Sequence, residues 1–207
     1  MQTNIISYMV IRSVKSKEEL LKAYKLVADV LKLAKTHPRD ITYYTERYKE
    51  SGKLIKMALE KNKLVGALFA TPENNKQLLI GEIAVRSAFR GMGVGEKLFN
   101  SVEKTAKSMG FGKIVAGIRD GVEEFYIKCG YETKLFIQIP KKTEEIVKFN
   151  SFLETIPSEY TVERKESPDF IKIIIDAPTL GIEKSYQNSL RSIVPNGHTQ
   201  ILAFKYI

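Results

Sequence analysis

Three glycines at alternate positions follow an arginine in the run Arg90-Gly91-Met92-Gly93-Val94-Gly95. Such spacing clears the side chains from one face of a turn, so that consecutive backbone N–H groups can converge on an anion. Behind the turn Val94, Leu98, Val102 and Ala106 recur at helical spacing. The same residues therefore open a helix whose first N–H groups are unpaired and whose dipole is positive at that end. The chemistry this suggests is recognition of a phosphate or pyrophosphate; the plainer reading is close packing of helix on strand. Two familiar anion sites do not fit. A nucleotide-binding phosphate loop needs Gly-Lys-Ser/Thr, but Gly95 is followed by Glu96, and a dinucleotide turn needs a third glycine where Glu96 stands. Other reactive groups are few. Two distant histidines, His37 and His198, give no zinc-ligand cluster, and no metal is expected. Cys129, the single cysteine, has no histidine near it in sequence and reads as structural.

The turn has to be presented by a strand, and Gln77–Val85 supplies it as the third of three in succession. Leu54–Leu59 and Leu64–Ala70 flank the polar turn Glu60-Lys61-Asn62-Lys63, and Pro72-Glu73-Asn74-Asn75 turns the chain again. Upstream, Ile5–Ser13 alternates as a strand. Ser16-Lys17-Glu18-Glu19 is a capping box ahead of an amphipathic helix over 17–33, with Leu20, Tyr24, Val27 and Leu31 on one face. His37-Pro38-Arg39-Asp40 breaks that helix, and Asp40 caps a tyrosine-rich one running to about Lys49. Downstream, Ile114–Ile118 is a strand, Val122–Cys129 a short helix and Leu135–Ile139 a further strand. Hairpins first and a βαβ crossover after them predict an α/β (α+β) fold with a mixed sheet flanked by helices. The tail is regular too: a helix over Thr143–Ile156, a hairpin of Tyr160–Glu166 with Phe170–Ile175, a helix over Ile182–Ile193 and a strand over Thr199–Tyr206. With Leu135–Ile139 this is β-α-β-β-α-β, the ferredoxin-like order. A return of the strand 199–206 to the main sheet fits equally, and would make 141–197 an inserted unit. The expected division is 1–139 and 140–207.

Arg90-Gly91-Met92-Gly93-Val94-Gly95 resembles the R/Q-x-x-G-x-G/A signature of the GNAT superfamily of N-acetyltransferases. About 35 residues further on, Phe125-Tyr126-Ile127-Lys128-Cys129-Gly130-Tyr131-Glu132 is similar to that family's second hallmark. The resemblance spans about residues 5–139. It implies a splayed sheet and transfer of an acetyl group from acetyl-CoA, as co-substrate, to an amine that attacks directly in a ternary complex. The pantetheine arm would pair with Ile83, Ala84 and Val85, and the turn Arg90, Gly91, Met92, Gly93, Val94 and Gly95 would hold the pyrophosphate. Tyr126 would protonate the departing thiolate, its alternative being a core tyrosine. Glu82, just before the splay, is the best-placed base for the amine proton, although strand alternation could equally turn it to solvent. Relatives often carry an asparagine about seven residues before the tyrosine. Here Arg119 stands there: either it meets a coenzyme phosphate instead or the contact is missing, and Lys128 would also lie near the coenzyme phosphates.

The 207 residues carry a net charge of +9, with 33 Lys and Arg against 24 Asp and Glu. Residues 140–207 are neutral, so the excess belongs to the part that holds the glycine turn and favours an anionic ligand there. Two other classes compete with the enzyme: a non-catalytic acyl-CoA sensor, and a nucleic-acid binder using Tyr43, Tyr44, Arg47, Tyr48 and Lys49. For the second, packing of those tyrosines on the sheet is the favoured alternative. The N-terminus lacks the pattern of a signal peptide, and no stretch approaches the roughly 18 apolar residues of a membrane span. A cytoplasmic protein with no membrane partner is expected. The tail could cap the acceptor site, pair two copies through a sheet edge as a homodimer, or bind a regulator.

Overall fold

The computed structural model describes residues 9–34, 37–119, 121–141, 144–176 and 182–207. The expected strand residues 5–8, Asp120 and the helix start at Thr143 lie outside them. The chain forms two compact units, residues 1–115 with 206–207 and residues 116–205. Each has its own apolar core. Among the described residues no helix is long and apolar enough to cross a membrane.

In the first unit β1 (Met9–Ser13), β2 (Lys56–Glu60), β3 (Lys63–Pro72) and β4 (Gln77–Val85) pair antiparallel in chain order. The β2–β3 connection is tighter than the sequence suggests. Lys61 and Asn62 both take positive φ, 47° and 63°, which makes the two-residue turn whose twist matches the strands. Helix α1 (Lys17–Leu31) starts at the expected cap: the Ser16 hydroxyl accepts the Glu19 N–H at 3.2 Å. The Glu19 carboxylate reaches back to the Lys15 N–H at 2.8 Å and takes both Arg12 guanidinium nitrogens at 2.7 Å. Those Arg12 bonds hold its pKa down at about 2, against burial and with help from the Lys15 bond. Leu20, Ala23, Leu26 and Val27 of α1 pack with Tyr44, Met57, Phe69 and Ala84 in the core.

The tyrosine-rich segment is not one helix to Lys49. It divides into α2 (Ile41–Glu46) and α3 (Tyr48–Ser51) at Arg47, whose backbone leaves the helical region at φ −90°, ψ 3°. The Arg47 guanidinium lies 3.9 Å above the Tyr43 ring, and its carbonyl accepts both the N–H and the hydroxyl of Ser51. Asp40 caps α2 by accepting the Tyr43 N–H at 3.0 Å. Helix α4 (Val94–Ser108) buries the expected stripe of Val94, Leu98, Val102 and Ala106, together with Phe99.

The second unit begins within β5 (Lys113–Ile118) and continues through α5 (Glu123–Lys128), β6 (Glu132–Pro140), α6 (Glu145–Glu154), β7 (Thr161–Glu166), β8 (Phe170–Asp176), α7 (Ile182–Ile193) and β9 (His198–Tyr206). Its strand order is β5-β9-β6-β8-β7, and the three pairs from β9 to β7 are antiparallel. The four strands β6 to β9 and the helices α6 and α7 have the ferredoxin-like arrangement, and β9 also lies beside β5. Leu135, Ile137, Ile139, Ile171, Ile173 and Ile175 pack under Phe149, Phe152 and Leu190 of the helices.

Candidate active site

The glycine turn has the geometry its spacing implies. After Val85 the chain makes a short 3-10 turn over Ser87–Phe89 and reaches Gly91 and Gly93 at φ 75° and 72°, where side chains are strained. A Cβ at either glycine would meet nothing within 4 Å, so that face of the turn is open space. Gly93 is the N-cap of α4 and supplies no side chain, which leaves the first-turn N–H groups for an outside acceptor. The Arg90 Nε donates to the Val85 carbonyl at 3.1 Å and Arg86 Nε to the Leu64 carbonyl at 3.1 Å. These bonds tie the turn to the ends of β3 and β4. Met92 is exposed. Val94 is buried, so its backbone alone can face a ligand. Along the edge that faces β3, Ile83, Ala84 and Val85 pair with Leu68, Ala67 and Gly66.

Glu82 points into the protein: its side chain is 3 % exposed. One carboxylate oxygen accepts the Arg39 Nε–H at 3.0 Å and the other accepts the Tyr44 hydroxyl. His37 Nδ1 lies 4.0 Å away. A buried carboxylate needs such pairing, and two features supply it. Asp40 fixes the start of α2 and so aims Tyr44. The register of β3 with β4 shifts between Phe69 and Ala70, opposite Gly81. A Cβ on Gly81 would strike the Tyr44 hydroxyl and come within 3.0 Å of Arg39 Nε. Burial pushes the Tyr44 pKa far up, and the neighbouring Glu82 adds to this. For Arg39 burial opposes the charge, but Glu82 outweighs it and the pKa is raised. Tyr44 also packs on Phe69 and Tyr24, with ring centroids 4.6 and 6.2 Å away. Arg39, Tyr44 and His37 were not legible as a cluster in the sequence, since they meet Glu82 across some forty residues. The one local signal was Gly81 inside an otherwise branched strand.

In the second unit Tyr126 is buried on α5, its ring edge-on to Phe125 and Tyr131 at 5.6 and 5.9 Å. Burial, with a smaller contribution from Cys129, pushes its pKa up to about 12. Its phenol therefore stays protonated across the neutral range, the state a proton donor needs. Lys128, on the same helix, is 78 % exposed and lies 3.7 Å from Glu124 one turn back. Arg119 follows the end of β5 and lines a cleft with Gln187, Arg191 and His198.

The model of the acetyltransferase (GNAT) family matches residues 20–131, more than half of the chain. No curated protein matches it. Among solved structures it is similar to Ard1 from Thermoplasma volcanium, at 16 % identity and a TM-score of 0.51 over 82 % of this chain and 98 % of that one. It is also similar to a protein from Pyrococcus horikoshii, at 12 % identity and a TM-score of 0.57 over 100 % of this chain and 92 % of that one. At such identities the likeness is one of fold.

Proposed function

The chain belongs to the acetyltransferase (GNAT) family, and on that premise we propose that it transfers an acetyl group from acetyl-CoA to a primary amine by direct attack in a ternary complex. The observation that carries the reading is the open, positive-φ glycine turn at the start of α4. It fits a pyrophosphate because its N–H groups are undirected by any side-chain cap and the helix dipole is positive there. Gly91 to Gly95 hold the coenzyme phosphates with Arg90 and Met92 at the rim, the backbone of Ile83, Ala84 and Val85 lines up its arm, and Lys128 adds charge. Acetyl-CoA supplies the activated acyl group. Arg119, at the position where relatives often carry an asparagine, is the further candidate for a coenzyme phosphate, and it also lines the cleft with Gln187 and Arg191.

Tyr126 donates its proton to the leaving thiolate. Glu82 takes the proton of the attacking amine on a carboxylate oxygen, while its hydrogen bonds with Arg39 and Tyr44 keep the carboxylate in place. His37, 4.0 Å from Glu82, offers the next proton position. Residues 1–139 form the catalytic part and 140–207 an addition to it. Thermal-shift and thiol-release measurements with acetyl-CoA against an amine panel test the reading: stabilisation by acetyl-CoA with turnover of at least one amine is expected, and no stabilisation would overturn it. Tyr126→Phe should lower kcat about a hundredfold with little change in the KM for acetyl-CoA. Full activity in that variant removes the general-acid role.

A further inference from the structure

The second unit contains an open cleft of about 250 Å³ that the acetyl transfer leaves without a task. Its walls come from the end of β5, from α7 and from the start of β9: Arg119, Gln187, Arg191, His198, Thr199 and Gln200. Among the described residues that line it, none carries a carboxylate. Two arginines, a histidine, a threonine and two glutamines therefore line one recess, residue types whose donors suit an oxyanion.

The cleft is built, not merely a dent between surface side chains. Gln187 is 2 % exposed; its Nε2 donates to the Thr199 carbonyl at 3.2 Å, while its Oε1 is buried with no hydrogen-bond partner among the described residues. A buried acceptor left this way is costly unless a donor arrives. Gln200 is seated over Gly117, where a Cβ would strike its side-chain amide, so the glycine keeps room for that amide beside the cleft. The His198 ring is held against Phe136, with centroids 6.2 Å apart.

We propose that this cleft binds a small carboxylate bearing an adjacent hydroxyl or ammonium donor, the acid group held by Arg119 and Arg191 and the donor directed to Gln187. A volume equal to about eight waters suits an acid of metabolite size. The ligand is separate from the coenzyme, and the inference does not depend on the acetyl-transfer reading.

Isothermal titration of the full chain tests it, with malate as probe and succinate as the same skeleton lacking the hydroxyl. Malate is expected to bind in the millimolar range or tighter and succinate more weakly. Arg191→Gln, a change on the exposed side of α7, should weaken malate about tenfold. Saturation with acetyl-CoA should leave malate affinity unchanged. No heat with malate, equal affinity for succinate, undiminished binding in Arg191→Gln, or loss of malate binding on addition of acetyl-CoA would each overturn the assignment. Acetyl-CoA stabilisation measured on the same preparations reports on the acetyl-transfer reading independently.

Discussion

At the scale of single residues the site in the first unit turns on two contacts to one carboxylate. Glu82 is buried because Arg39 and Tyr44 reach it, and they reach it because position 81 has no side chain. Gly81→Ala is therefore expected to push both partners aside, to cost about 1–3 kcal/mol of stability and to slow turnover. Chemical denaturation and kcat on the same preparation check it, and a variant as stable and as fast as the parent would refute the role given to Gly81. Gly91 and Gly93 were legible in the sequence because a positive φ leaves few residue types to choose from. Glu82 was legible as a position but not as an environment, since strand alternation gave no reason to prefer inside over outside. The direction came from Tyr44, fixed by the cap at Asp40.

At the scale of elements the strands and helices followed from period and caps, and the errors have local causes. The tyrosine-rich helix divides at Arg47, whose side chain turns back over Tyr43, an interaction that helical spacing does not encode. Strand β2 begins at Lys56 rather than Leu54 because Gly52–Leu54 form a 3-10 turn. Lys56 is itself a buried cation, donating to the Ser13 and Thr105 hydroxyls at 2.9 and 2.7 Å, and burial lowers its pKa. Both hydroxyls have other acceptors, the carbonyls of Lys53 and Ser101. Lys56→Met thus leaves no polar atom orphaned, and should raise stability by roughly 1 kcal/mol at neutral pH. The sign with pH follows from proton counts. The unfolded chain holds this proton more firmly than the folded one, so the parent gains stability as pH rises from the lowered value to the ordinary lysine range. That gain should be missing in Lys56→Met; denaturation midpoints of the two proteins measured from neutral to alkaline pH decide it.

At the scale of the molecule the positive charge and the aromatic residues have separate fates. Tyr44 is wholly buried, the Tyr43 ring is covered by Arg47, and the Tyr48 ring lies 3.0 Å from a Cβ built on Gly52. The tyrosines that could have formed a stacking platform for bases are occupied in packing. Added RNA is accordingly expected to leave acetyl-CoA affinity unchanged at moderate salt, and competition between them in a titration would contradict this. The tail was legible element by element. Its double role was not, because pairing of β9 with β6 and proximity to β5 both satisfy the same strand pattern.

The register of β9 has a consequence for the birth of the chain. Gln138 on β6 pairs with His198, sixty residues later, and the N–H of Ile207 donates to the carbonyl of Gly112. During synthesis β6 keeps an edge uncovered until residues 198–204 have left the ribosome, and the first unit likewise waits for Ile207 to reach Gly112. Folding of either unit is thus tied to the emergence of residues 198–207, with the long-range closures expected to set its rate. Nascent chains that have emerged only through residue 197 should remain open to protease along β6, and chains that have emerged through residue 207 should not.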